Sequence, residues 1–232
     1  MLEELKNEVY AANMRLVGAG LVTLTWGNAS GFDRSSGLMV IKPSGVDYGA
    51  MKPSDMVVVD LSGKTVEGGL RPSSDTPTHL EFYRRFDGVG GAVHTHSPEA
   101  TAWAQAARAI PCRGTTHADG FCGPVPVTRF LTPEEVEEAY ELNTGRAVAE
   151  LFTGRDPLAT PAALVAGHGP FTWGETPAKA VDNAVALEAV AKMARLMELL
   201  DRPGGAPPSL PEHVARKHFM RKHGPNAYYG QK

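Results

Sequence analysis

Thr76-Pro77, Ser97-Pro98, Thr132-Pro133 and Thr176-Pro177 in this 232-residue chain share one local grammar, a hydroxyl directly before a proline at the head of a helical pattern. A hydroxyl at the N-cap satisfies an orphan backbone N–H, and proline at the first helical position loses nothing by lacking one, so each pair predicts a helix start. Thr132 also has Glu135 three residues on, the spacing of a capping box. Between these starts lie short apolar runs that read as strands: Leu21–Thr25, Leu38–Ile41, Met56–Leu61, Gly91–His94 and Ala162–Ala166. The first of them ends in an expected turn over residues 27–31. Strands alternating with capped helices predict a layered α/β domain. The strand direction, parallel or antiparallel, is not readable from the pattern.

Two further helices bound the picture. Leu2, Leu5, Val9, Ala12 and Leu16 recur at intervals of three or four, predicting an amphipathic first helix. The helix from Pro177 to about Leu200 is apolar over a wide arc, with Val181, Val185, Leu187, Val190, Met193, Leu196 and Met197, and is expected to be well buried. The length suits one domain over residues 1–232 with its own core. A linker is expected at Pro203–Pro211, before a basic tail over 212–232.

The formal net charge of −3 lacks the basic footprint of a nucleic-acid binder. No apolar run reaches the length of a membrane span, and the start has no signal-peptide core. Cys112 and Cys122 are too few for a disulfide framework and are expected to be small buried thiols without a role. The expected compartment is a reducing cytoplasm.

Several groupings are suited to chemistry. His94-Thr95-His96 ends an apolar run, and residues i and i+2 of a strand point to one side, so both imidazoles can meet one metal or simply hydrogen-bond. His168 lies between Gly167 and Gly169, which permit close backbone approach; it reads as a third ligand or as a turn histidine. Pro72-Ser73-Ser74-Asp75-Thr76-Pro77 offers hydroxyls and free amides at a helix start, an anion pocket or an ordinary cap. Gly27-Asn28 and Lys42-Pro43-Ser44-Gly45 are turns that can present amides, a hydroxyl and an ammonium to a phosphate. Thr115-Thr116-His117-Ala118-Asp119 and the Tyr228-Tyr229 tail are the remaining candidates.

Read jointly, these segments resemble one family. TWGNASGFD (25–33), IKPSGVDY (41–48), PSSDTPTHLEFYRRFDGVGGAVHTHSPEATAWAQA (72–106), GTTHADGFCGPVPVTR (114–129) and HGPNAYYGQ (223–231) are similar to the L-ribulose-5-phosphate 4-epimerases of the class II aldolase and epimerase superfamily. The resemblance runs from the first helix to Gln231. It implies a three-layer α/β/α sandwich and a homotetramer whose active sites lie between subunits. It implies a divalent metal, usually zinc, held by His94, His96 and His168 with Asp75 as the acidic residue beside it; by ligand type manganese or cobalt would also fit. Gly27, Asn28, Lys42, Ser44, Gly45, Ser73 and Ser74 match the substrate and phosphate pocket. Asp119 and Tyr229 match the acid/base pair, with Tyr229 reaching in from the adjacent chain. The implied substrate is a pentulose 5-phosphate, with no nucleic-acid or membrane partner, and the implied reaction is epimerisation at C4 through cleavage and re-formation of C3–C4.

Three rival readings remain. An L-fuculose-phosphate-like aldolase would release its two fragments, although those relatives tend to carry Glu where Asp75 stands. An adducin-type binding head would lack the three histidines. A metallohydrolase would want a further His/Asp cluster, and none is present.

Overall fold

The computed structural model describes residues 2–200 and 209–229. Most of the expected linker at Pro203–Pro211 lies outside the described residues, as do Gly230 and Gln231 of the tail motif. Among the described residues there are seven α-helices and seven strands. The helices are α1 (Glu3–Gly18), α2 (Thr76–Arg85), α3 (Pro98–Gln105), α4 (Thr115–Ala118), α5 (Pro133–Glu150), α6 (Pro177–Leu199) and α7 (Glu212–His223). The strands are β1 (Asn28–Asp33), β2 (Leu38–Ile41), β3 (Val57–Asp60), β4 (Thr65–Glu67), β5 (Gly91–His94), β6 (Ala162–Leu164) and β7 (Pro170–Gly174). They form one sheet in the order β4-β3-β2-β1-β5-β7-β6, and every neighbouring pair is antiparallel.

These four hydroxyl–proline pairs start helices, but only two act as side-chain caps. Thr132 accepts from the Glu135 N–H at 3.3 Å while the Glu135 carboxylate accepts from the Thr132 N–H at 2.8 Å, the expected capping box. Thr176 accepts from the Lys179 N–H. Thr76 is instead already helical and donates back to the Ser73 carbonyl at 2.7 Å, which moves the cap position to Asp75. Ser97 makes no cap hydrogen bond with its side chain.

The run at 21–25 is not a strand. Gly27, at φ +84°, turns the chain, and the strand begins after it at Asn28, inside the stretch expected to be the turn. β1 is almost wholly buried and pairs on both sides, so ladder hydrogen bonds and burial override the weak strand propensity of Asn-Ala-Ser-Gly.

Alternation along each strand feeds different clusters. Ala92 packs with Met39, Ile41, Val57, Phe82 and Trp173, joined by Leu80 of α2 and Val148 of α5. Its neighbour Val93 packs with Ala12 and Leu16 of α1 and Val181 of α6. In α6, Val181, Leu187 and Val190 are buried as expected, but Val185, Met193 and Leu196 are exposed, because a helix of 23 residues turns a second apolar arc away from the sheet.

A row of glycines seats the start of α6. Gly31, Gly91 and Gly174 lie directly opposite one another across β1, β5 and β7. A Cβ would meet Pro177 Cγ at 2.9 Å from Gly31, the Pro177 nitrogen at 2.3 Å from Gly91, and Lys179 Cγ at 2.8 Å from Gly174. No side chain fits in that trough. Gly91→Ala must therefore push α6 off the sheet, and we expect a loss of about 3 kcal/mol in denaturant unfolding. An unchanged midpoint would show that the helix start is not seated there.

Candidate metal and phosphate site

β5 ends at His94, which lies opposite Asn28 on β1 and Phe171 on β7. The His94 ring stacks on Phe171 with centroids 4.2 Å apart, and its Nδ1 lies 3.0 Å from the Pro170 carbonyl, to which it donates. That bond leaves the Nε2 lone pair for a ligand. His96 Nε2 lies 3.0 Å from His94 Nε2, and the His168 ring is 4.7 and 5.0 Å from the two. The three ligand atoms fall within 4.8 Å of one another. Two nitrogens about 2.0–2.1 Å from one ion are separated by roughly 2.9–3.4 Å, depending on the angle between them. The His94–His96 spacing fits a shared cation.

His168 reaches this position because its turn is tight. Its N–H bonds the Val165 carbonyl at 3.0 Å, and Gly167 takes φ +76°. A Cβ on Gly169 would lie 2.9 Å from the Thr95 carbonyl, so only glycine lets the turn close on the histidine pair. Burial pushes the His168 ring down to about 4, helped by the two neighbouring histidines, and the same causes lower His96. Both are neutral imidazoles at pH 7, the form that binds metal.

Asp75 completes the near wall. Its carboxylate accepts from the Asn28 amide at 2.6 Å, and the same amide nitrogen donates to Ser73 Oγ at 3.1 Å. Burial works to raise the Asp75 carboxyl, but His94, His79 and the Asn28 amide outweigh it and hold it below the usual range. Asn28 lines the cavity, and its Oδ1 is buried with no hydrogen-bond partner among the described residues.

The wall expected to meet a phosphate is made by two turns tied together. Pro43 and Pro72 form an antiparallel bridge, the Ser73 N–H bonds the Lys42 carbonyl, and the Ser44 N–H bonds the Arg71 carbonyl. Lys42 is 2% exposed; its ammonium donates to the Pro43 and Val46 carbonyls and lies 4.7 Å over the Tyr48 ring. Burial pulls its pKa down, opposed by Asp47. All eleven residues expected for metal and substrate (Gly27, Asn28, Lys42, Ser44, Gly45, Ser73, Ser74, Asp75, His94, His96 and His168) line a single cavity of about 510 Å³. That volume suits a small phosphorylated sugar.

Asp119 and Tyr229 do not line it. Both instead contact Arg221 of α7, where α4 packs on α7 of the same chain. The Asp119 carboxylate accepts from Arg221 at 2.8 and 3.1 Å and contacts His218 Nδ1 at 3.1 Å, with Lys222 at 3.8 Å. Burial tends to raise Asp119, but Arg221 and His218 prevail and hold it low. The exposed Tyr229 ring lies 4.7 Å under the Arg221 guanidinium. Two cavity residues were absent from the sequence reading. Tyr140 places its hydroxyl 3.5 Å from His168 Nδ1, and Glu141 follows it. Both depend on a break in α5 at Ala139 (φ −165°, ψ 76°), where no proline or glycine marks the sequence. Trp26, its ring 6.2 Å from His96, adjoins the Gly27-Asn28 turn and was within reach of a motif reading.

A sheet of this order carrying three converging histidines beside a phosphate-type pocket is the arrangement of a class II aldolase. The solved structures agree. An L-fuculose 1-phosphate aldolase is 29% identical with a TM-score of 0.78, the match covering 94% of this chain and 95% of that one. The l-fuculose-1-phosphate aldolase of Thermus thermophilus is 27% identical with a TM-score of 0.66, over 87% and 98%. A sugar-phosphate aldolase from Thermotoga maritima, at 21% identity and a TM-score of 0.61 over 87% and 98%, shares the fold. Residues 7–195 match the model of the Class II Aldolase and Adducin N-terminal domain, and the chain belongs to that family.

Two substitutions separate the halves of the cavity. His96→Asn is expected to leave a folded protein that loses most of its bound divalent metal, read by elemental analysis; undiminished metal would remove His96 from the ligand set. Lys42→Met is expected to weaken substrate binding at least tenfold while metal content stays at the parental level. Parental affinity in that variant would show that the ammonium does not meet the phosphate.

Proposed function

We propose that this protein is a metal-dependent epimerase interconverting L-ribulose 5-phosphate and D-xylulose 5-phosphate, acting in the cytoplasm as a homotetramer with shared sites. The two packed faces of the sheet support reading the fold as a three-layer α/β/α sandwich. The observation that carries the functional reading is the meeting, in one cavity, of three converging imidazoles with a buried lysine and two serine turns. Zinc is the ion we assign, on the neutral nitrogen ligands.

Substrate chemistry restricts the route. The ketone is at C2, so the hydrogen on C4 is not acidified, and its direct removal would leave an unstabilised carbanion. Taking the proton from the C4 hydroxyl instead sends the C3–C4 bonding electrons toward the ketone, giving the enediolate of dihydroxyacetone and glycolaldehyde phosphate. A divalent cation at the histidines supplies Lewis-acid stabilisation of the negative charge that develops on the ketone side. Lys42 and the Ser44-Gly45 and Ser73-Ser74 turns hold the phosphate while the aldehyde rotates. Asn28 Oδ1 accepts from a sugar hydroxyl. The bond then re-forms on the opposite aldehyde face, and the new alkoxide takes a proton. Two proton-moving groups on opposite faces are needed, a task we assign to Asp119 and Tyr229 of a neighbouring subunit.

Incubation with L-ribulose 5-phosphate should give D-xylulose 5-phosphate without free glycolaldehyde phosphate, should stop with a chelator and should resume with zinc. Release of both fragments by the parental protein would favour the second reading, a sugar-phosphate aldolase, which the 29% identity to an L-fuculose 1-phosphate aldolase supports. Tyr229→Phe should leave fold and metal unchanged and lower epimerisation on the order of 10²-fold. Because Asp119 and Tyr229 share one patch, mixing Tyr229→Phe chains with His96→Asn chains should restore activity to about a quarter of the sites, each pairing an intact cavity with an intact patch. No recovery in mixed tetramers would place both residues outside the shared site.

A further inference from the structure

The two cysteines do not occupy the core positions expected of them. Cys122 is exposed and Cys112 is half-buried. They flank one loop whose stem is fixed by the Ile110–Val125 bridge, with both N–H to O distances 3.0 Å. Cys122 is pinned at its backbone on both sides: its N–H bonds the Ala159 carbonyl at 2.8 Å, and its carbonyl accepts from the Thr160 hydroxyl at 2.7 Å. Within the loop, His117 Nε2 donates to the Gly123 carbonyl at 2.8 Å, folding α4 back onto the stem. Cys112 lies two residues inside the bridge on one arm of the loop and Cys122 three residues inside it on the other, and Cys122 joins burial in raising the Cys112 thiol. Between them run α4 and Asp119, whose carboxylate grips α7.

We propose that Cys112 and Cys122 form an oxidisable dithiol that a hydroperoxide converts to an intrachain disulfide, clamping the loop that carries Asp119. The exposed Cys122 reacts first. Its thiol attacks the peroxide oxygen, giving a sulfenic acid and releasing water. The Cys112 thiol then attacks that sulfur, forming the S–S bond and releasing a second water. Two thiol hydrogens and two electrons leave the protein, and one hydrogen peroxide becomes two waters. The bond closes a short ring around α4 and fixes Asp119 against α7. The expected effect on turnover rests on the epimerase reading above, whereas the bond itself does not.

The test treats the native protein with hydrogen peroxide, blocks free thiols with N-ethylmaleimide and measures mass and non-reduced peptides. The expected result is a loss of about 2 Da with no maleimide added, a peptide joining Cys112 to Cys122, and reversal by dithiothreitol. Cys122→Ser should show neither the mass loss nor the joined peptide. Epimerisation should fall several-fold on oxidation of the parental protein, return with dithiothreitol, and be unaffected by peroxide in Cys122→Ser. Separate sulfinic acids, or disulfides only between chains, would overturn the site. An intrachain bond that leaves turnover unchanged would overturn its action through Asp119. If the reduced protein has no epimerase activity at all, the functional reading fails, and the mass result still decides the bond.

Discussion

The site hangs on one rung of backbone pairing. Residues directly opposite in an antiparallel ladder point to the same face, so the register that sets Asn28 against His94 and His94 against Phe171 lines up an amide, an imidazole and an aromatic ring. Three residues along the ladder, the same strands align Gly31, Gly91 and Gly174, and that odd spacing turns the glycines to the opposite face, where α6 begins. A slip of one residue would exchange the two faces, putting His94 under a helix and removing the trough. Helix seat and candidate metal ligand are therefore one constraint. Neither can move without the other.

Electrostatics then determine what the cavity accepts. Lys42 faces two carbonyls and a tyrosine ring, and among the described residues no carboxylate pairs with it. A buried ammonium without a counter-ion is costly, and its burial already pulls its pKa down. An anion such as a phosphate placed beside the ammonium would offset that cost directly, which is the physical basis for the phosphate role proposed for Lys42. Asp75 is the opposite case. It is buried but already holds an amide hydrogen bond, so it holds the acidic wall of the cavity with no comparable deficit.

The sequence was legible where local chemistry and tertiary structure agree. The Thr132 and Thr176 caps, the strands at Leu38–Ile41 and Gly91–His94, and the glycines around His168 all followed from rules that act over a few residues. The eleven cavity residues were named because a joint resemblance ties together turns that are weak separately. The misses share a cause. β1 has poor strand propensity and forms because β2 and β5 pair with it; β4 and β7 are likewise decided by their partners. The α5 break at Ala139 that delivers Tyr140 has no proline or glycine to announce it. Cys122 lies outside the core with its backbone held by Ala159 and Thr160, a pairing between residues far apart in the chain.

One chain thus carries two unlike surfaces: a cavity with three imidazoles and a lysine, and an α4–α7 patch where Arg221, Lys222 and His218 surround a single carboxylate. The patch holds more cationic groups than that carboxylate can balance, which suits a position beside a phosphate more than one beside another cation. If the patch of one subunit completes the cavity of the next, the contact joins two different surfaces and is heterologous. Such contacts either propagate without end or close into a ring, and only a closed ring gives every cavity a patch and every patch a cavity. The proposed homotetramer would satisfy this with one kind of interface if it is a closed fourfold ring. The separation of Asp119 and Tyr229 from the histidines within one chain is then the geometric condition for shared sites. A proton-moving pair already seated over its own cavity would make the neighbour unnecessary.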